Sequence, residues 1–102
     1  MDLARLDEAM VAEARNAFHE RGGLLIIRDQ NHINPAHLSR FVKRFGTPEN
    51  NEKYDPNFRV PGYPEILRIG NIKKDGRYTA LFIQADPPPL LWHMDDSFRN
   101  PQ

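Results

Sequence analysis

From Asp2 onward the apolar residues Leu3, Leu6, Met10, Ala14, Ala17 and Phe18 return at steps of three and four. That spacing puts them on one stripe and predicts a single amphipathic helix, with Asp2 as its N-cap. Gly22-Gly23 supply the left-handed backbone that ends a helix. The next four residues, Leu24 to Ile27, are all apolar. A short run of this kind, bounded by turn residues, predicts a strand covered on both faces. Asn34 as cap, Pro35 at the first helical position and the stripe Leu38, Phe41, Val42 and Phe45 predict a second helix, stopped by Gly46 and Pro48.

Residues 47 to 64 hold Pro48, Pro56, Pro61 and Pro64 and show no period, so they predict a long loop. Tyr54, Phe58 and Tyr63 are its expected anchors. Two apolar-rich runs follow, Glu65 to Ile72 and Tyr78 to Gln84. The segment Lys73-Lys74-Asp75-Gly76-Arg77 joins them, and its Asp-Gly pair predicts a β-hairpin. Asp86-Pro87-Pro88-Pro89 forces extended backbone, and Leu90, Leu91 and Trp92 lead into His93. The expected class is α+β, with two helices and a few strands.

Composition narrows the chemistry. One hundred and two residues make one small domain or a piece of a larger one. Fourteen basic residues against 14 acidic ones give a net charge of zero, which lacks the electrostatic footprint of a nucleic-acid or anionic-membrane binder. Arg40, Lys43 and Arg44 form a basic strip on the second helix, read as a solvated surface. With no cysteine, only His, Asp, Glu and backbone groups remain as metal ligands. No apolar run reaches the length of a membrane span, and the acidic residues Asp2, Asp7, Glu8 and Glu13 argue against a transit peptide. A cytoplasmic location is expected.

One constellation carries chemistry. In extended structure the side chains of His93 and Asp95 point to the same face, so imidazole and carboxylate converge. They make two-thirds of a 2-His-1-carboxylate triad, which holds non-haem Fe(II) and leaves positions open for co-substrate and oxygen. Taken alone, His-x-Asp is far more often a surface pair or a satisfied hydrogen bond than a ligand set.

The surrounding string Leu91-Trp92-His93-Met94-Asp95-Asp96-Ser97-Phe98 resembles the iron-binding motif W-H-x-D-x-[ST]-F. That motif belongs to the taurine and 2,4-dichlorophenoxyacetate dioxygenase (TauD/TfdA) family. Three upstream segments resemble the same family in the same order. Leu24 to Gln30 is similar to its strand ending in F-R-[DG]-Q, and Phe41 to Glu49 to its A-R-x-F-G-x-[LP]-E helix end. Ile69 to Ile72 with Asp75-Gly76 is similar to the strand and turn before the metal motif. The resemblance makes residues 1–102 a single partial domain ending just after His-x-Asp. It implies the N-terminal part of a double-stranded β-helix, or jelly roll, with an incomplete core.

By the same resemblance the chain comes from an Fe(II)- and 2-oxoglutarate-dependent dioxygenase that oxidises a small organic substrate with O₂, ascorbate being supportive. His93 and Asp95 match the first two iron ligands. Phe98 matches an aromatic near the substrate, and Trp92 reads as packing. The family's second histidine and its 2-oxoglutarate-binding arginine follow the motif at a distance and have no counterpart up to Gln102. His19, His32 and His37 precede it and read as solvent or capping residues. The 102-residue chain alone is therefore expected to be inactive and to hold iron weakly. The alternative is a truncated, non-catalytic relative acting as an interaction partner. Unpaired sheet edges would favour aggregation or homo-oligomer formation by the isolated chain. The loop histidine of the taurine branch is also missing from Asn57 to Tyr63, which disfavours a sulfonate substrate.

Overall fold

The structure, a computed structural model, describes residues 1–79 and the short strand Leu81–Phe82. Its class is α+β. The helices are α1 (Glu8–Glu20) and α2 (Pro35–Val42). The strands are β1 (Arg59–Val60), β2 (Tyr63–Leu67), β3 (Ile69–Gly70), β4 (Lys73–Lys74), β5 (Arg77–Tyr78) and β6 (Leu81–Phe82).

The single helix expected from Asp2 is broken in two. Asp2 caps only a 3₁₀ turn, Leu3–Arg5, by accepting the Ala4 N–H at 2.9 Å. Leu6 then turns extended at φ −56°, ψ 127°, and Asp7 caps α1 by accepting the Met10 N–H at 2.8 Å. Aspartates five residues apart each offer the backbone a local acceptor, and two caps cannot share one helix. Leu3, in the 3₁₀ turn, is buried to 4% exposure, and Val11 and Ala14 are the buried residues of α1.

The predicted stop is present in full. Gly22 and Gly23 take φ 71° and 92°, the Gly22 N–H bonds to the His19 carbonyl, and the Gly23 N–H reaches the Phe18 carbonyl at 2.8 Å. Those two bonds are a Schellman closure, which satisfies the last carbonyls of α1.

Leu24 to Ile27 has no strand assignment and no ladder partner among the described residues. Leu25 and Ile27 are half-buried, while Leu24 and Ile26 are about two-thirds exposed. An all-apolar run fixes no inside and outside of its own.

In α2, Asn34 and Pro35 open the helix as expected. The Asn34 carboxamide accepts the His37 N–H at 3.0 Å, and His37 Nδ1 accepts the Asn34 N–H at 3.2 Å. The residue buried against β2 is Ser39, however, whereas Leu38 and Val42 stay exposed. Ser39 donates its hydroxyl to Glu65 of β2, and this polar contact, rather than the apolar stripe, sets how the helix docks.

The basic strip is also more than a solvated surface. Arg40 donates to the carbonyls of Leu3 and Ala4 at 3.3 and 3.0 Å. Arg44 pairs with Glu8, and Lys43 lies 3.6 Å from Glu65. Three cations thus tie α2 to the N-terminal turn, to α1 and to β2.

Part of the expected loop is structured. Val60-Pro61-Gly62-Tyr63 makes a tight turn with Gly62 at φ 80°, the sequence signature of a type II turn. It folds β2 back on β1 in antiparallel register, Val60 opposite Tyr63 and Arg59 opposite Leu67 across a bulge. Asn51 ties the rest of the loop to the β2 edge through the Pro64 and Glu65 carbonyls. Tyr54, Phe58 and Tyr63 are half-buried, as anchors should be.

The Asp-Gly hairpin forms, with Asp75 and Gly76 at φ 52° and 74°, as a two-residue primed turn requires. It is shorter than expected. Lys73 faces Tyr78, Lys74 faces Arg77, and the Thr79 N–H reaches the Ile72 carbonyl at 3.0 Å. The longer runs do not pair as hairpin arms: β2 is taken by β1, and β3 pairs with β6 in parallel. The Pro61-Gly62 turn closes a smaller loop than the Asp75-Gly76 turn could for β2, and so claims that strand first. Predicted residues beyond Phe82, including the triproline segment, lie outside the described residues.

Candidate functional site

His93, Asp95, Phe98 and Trp92 lie outside the described residues. Three upstream segments of the resemblance are described, and they show what the N-terminal part contributes. In Arg28-Asp29-Gln30 the backbone of Asp29 is left-handed, φ 60°. Aspartate and glycine are among the residues that tolerate this conformation best, which accounts physically for the choice of Asp or Gly at that position of the motif.

The kink turns Gln30 toward the chain start. Its Oε1 accepts the Leu3 N–H at 3.0 Å, and its Nε2 donates to the carbonyls of Met1 at 2.9 Å and Arg28 at 2.7 Å. One carboxamide thereby saturates the end of the apolar segment and fastens the buried Leu3. Beside it runs a groove of about 690 Å³, whose lining includes Ala14, Ala17 and Arg21 of α1 and Leu25, Ile27 and Arg28 of the segment.

Gln30→Ala removes all three bonds and leaves the Leu3 N–H without its acceptor. At about 0.5–1 kcal/mol per bond, two of the three being exposed, it should lower stability by about 2 kcal/mol. Urea denaturation measures the loss, and amide exchange at Leu3 should accelerate with it. Unchanged exchange at Leu3 would show that the latch does not hold the N-terminal turn.

The second matched segment, Phe41 to Glu49, is bound to α1. The Phe41 and Phe45 rings meet edge to face at 5.0 Å, and the Arg15 guanidinium lies 5.7 Å from the Phe45 ring centre. Arg15 also donates to the Arg44 carbonyl. In the third segment, Ile69-Gly70 is β3 and Asp75-Gly76 is the hairpin turn. Apart in sequence, the first two segments are held by one frame of Arg40, Arg44 and Gln30 around the N-terminal turn.

The three described histidines take the roles expected of them. His32 Nε2 stands 2.7 Å from Asp2 Oδ1, His37 closes the α2 capping box, and His19 sits edge-on to Phe18 at the end of α1. The His32 contact, then the Ala4 N–H and the charges of His32 and Arg5, hold the Asp2 carboxyl below the usual aspartate range. Glu65 is lowered too, first by the Ser39 hydroxyl. Among the described residues no three His, Cys, Asp or Glu side chains gather as a metal site, and no helix is long and apolar enough to cross a membrane.

Sequence reading missed the Ser39–Glu65 contact and the latch made by Gln30. Gln30 lies within the Leu24 to Gln30 segment, and only its bonds reveal what it does. Ser39 offered a weaker signal, a small polar residue flanked by Leu38 and Arg40 on a helix expected to bury Leu38.

A comparison with protein-family models matches residues 1–102 to the family described as Taurine catabolism dioxygenase TauD, TfdA family. No curated protein and no solved structure matches the chain. The matched span takes in the latch, the helix end, the hairpin and the His-Met-Asp string alike, and on that coverage the chain belongs to the TauD/TfdA family of dioxygenases.

Proposed function

We propose that this chain carries the first part of an Fe(II)- and 2-oxoglutarate-dependent dioxygenase acting on a small organic substrate, within a jelly-roll fold. The observation that carries the reading is the family match over the whole of residues 1–102, with His93-Met94-Asp95 inside it. His93 and Asp95 are the two ligands this chain supplies, and Phe98 flanks the substrate. Neutral imidazole and carboxylate are the donor types that suit Fe(II) while leaving coordination positions open. When bound, the iron would supply oxygen activation coupled to oxidative decarboxylation of 2-oxoglutarate.

The described residues have a supporting task in this reading. The Gln30 latch, the Arg40 and Arg44 ties and the Ser39–Glu65 contact keep α1 and α2 fixed relative to the sheet elements that lead toward the motif. A second family histidine and an arginine for 2-oxoglutarate have no counterpart between residues 1 and 102, so the activity is assigned to the polypeptide that provides them.

The test uses the protein isolated from its own source, with Fe(II), ascorbate, 2-oxoglutarate and O₂. Aryloxy acids, alkyl sulfates and small natural products are the substrates to screen. The expected result is one succinate and one CO₂ per oxidised substrate, strictly dependent on Fe(II). A folded protein that binds Fe(II) no better than buffer and forms no succinate would overturn the assignment in favour of a non-catalytic relative.

A further inference from the structure

The end of α2 uses up its acceptors and leaves donors over. The Ser39, Phe41 and Val42 carbonyls accept the N–H groups of Lys43, Arg44 and Phe45 at 3.1, 3.0 and 3.0 Å, and the Arg44 carbonyl accepts the Arg15 guanidinium. Just beyond, the backbone N–H groups of Gly46 and Thr47 and the Thr47 hydroxyl have no hydrogen-bond partner among the described residues. Both residues line one hollow of about 600 Å³, which is formed by Arg15 of α1 and residues 43 to 48.

The charged groups of this lining are all cations: Arg15, Lys43 and Arg44. Arg15 has no carboxylate partner among the described residues, and its guanidinium lies 5.7 Å from the ring centre of Phe45. Glu8 and Glu65 approach Arg44 and Lys43 from outside the lining, and those two cationic side chains stay 40% and 58% exposed. Phe45, itself 44% exposed, and Pro48 add apolar wall. The larger groove beside Gln30 is different in kind. There Asp2, Glu13 and Asp29 stand among Arg21 and Arg28, so opposite charges offset one another.

We propose that the hollow between Arg15 and residues 43 to 48 binds the phosphate group of a small organic phosphate monoester. Arginine forks and free backbone N–H groups suit the three terminal oxygens of a phosphate dianion, whereas a carboxylate brings two oxygens and one charge. The organic part of the ester would rest on Phe45 and Pro48. Unfilled backbone donors beside cations in a concavity distinguish this site from the lone exposed lysines elsewhere on the chain.

The experiment uses the whole polypeptide that carries residues 1 to 102, labelled with ¹⁵N and titrated with phenyl phosphate. The Gly46 and Thr47 amide signals report this hollow whatever else the protein binds. Both should move and saturate. Inorganic phosphate should bind severalfold more weakly for want of the organic part, and phenylacetate at least about tenfold more weakly. Affinity for phenyl phosphate should rise as pH climbs through the second phosphate ionisation, about 6. Arg15→Gln should lower affinity at least about tenfold. Lys43→Met, which costs the fold little, should lower it severalfold, and Arg21→Gln, in the other groove, should leave it unchanged. Amide signals that stay in place at about 20 mM phenyl phosphate, where a millimolar site is saturated, would overturn the proposal. So would phenylacetate or inorganic phosphate binding as tightly as phenyl phosphate, or an affinity that survives Lys43→Met and Arg15→Gln.

Discussion

His93→Ala is expected to lower Fe(II) affinity by at least about a hundredfold, in the polypeptide that provides the remaining ligands, while the melting of the N-terminal region stays where it was. A site with three protein ligands has no spare donor, and outer-shell changes alone typically cost 10–100-fold in affinity, so loss of a ligand itself must cost more. Asp95→Asn should fall in the same range, because a neutral carboxamide replaces the charge that offsets the cation. Anaerobic titration calorimetry with Fe(II) reads the affinity, and circular dichroism reads the fold. The same pair of measurements separates the competing reading, in which Asp95 accepts backbone amides at a turn and His93 is a satisfied core residue. That reading requires His93→Ala to destabilise the protein and leave iron uptake unaltered. Thermal stability should be insensitive for a plain reason: the hydrogen bonds that fix α1, α2 and the N-terminal turn are made among residues 1 to 65.

What the sequence made legible follows from how local each signal is. The Asn34-Pro35 cap, the Gly22-Gly23 stop and the Asp75-Gly76 turn depend on a few adjacent residues, and each forms as expected. The Asp2 helix failed because Asp7 was a second cap inside a stripe whose three- and four-residue steps ran straight through it. Periodicity sees side-chain faces and is blind to a cap that breaks the backbone between them. Strand pairing was least legible, since β2 could be claimed from either side, and only the loop lengths decide between Pro61-Gly62 and Asp75-Gly76. The candidate site was read through motif strings. Its described parts then proved to be a frame of hydrogen bonds from Gln30, Arg40 and Ser39, whose partners lie 26 to 37 residues away. Nothing in a local pattern specifies contacts at that separation.

The Ser39–Glu65 contact gives the fold a defined acid limit. Ser39 is 3% exposed and the Glu65 side chain 12%, so the carboxylate that orients α2 on β2 has little water to replace a lost partner. The Ser39 hydroxyl, then the backbone N–H of Glu65 itself and the charge of Lys43, hold the Glu65 carboxyl below the usual glutamate range against the opposing effect of burial. A group whose pKa is depressed on folding adds stability that is fully present above its unfolded value, about 4.3. The contribution is lost as pH falls from there through the folded value. Stability should therefore be flat on this account above about pH 5.5 and decline below it, and Asp2 declines in the same window. Glu65→Gln should cost about 1–2 kcal/mol at pH 7 and flatten the acid decline relative to wild type, the two curves converging near pH 3. Ser39→Ala should cost about as much at neutral pH, because it leaves the carboxylate without its main donor. Lys43→Met should cost no more than about 0.5 kcal/mol, since its side chain is 58% exposed and water screens its pairing. Urea denaturation at half-unit steps from pH 7 to 3 measures all three. A Glu65→Gln curve that runs parallel to wild type, with no convergence at low pH, would place the acid sensitivity of this fold elsewhere, and the His32-bound Asp2 would be the next carboxylate to replace.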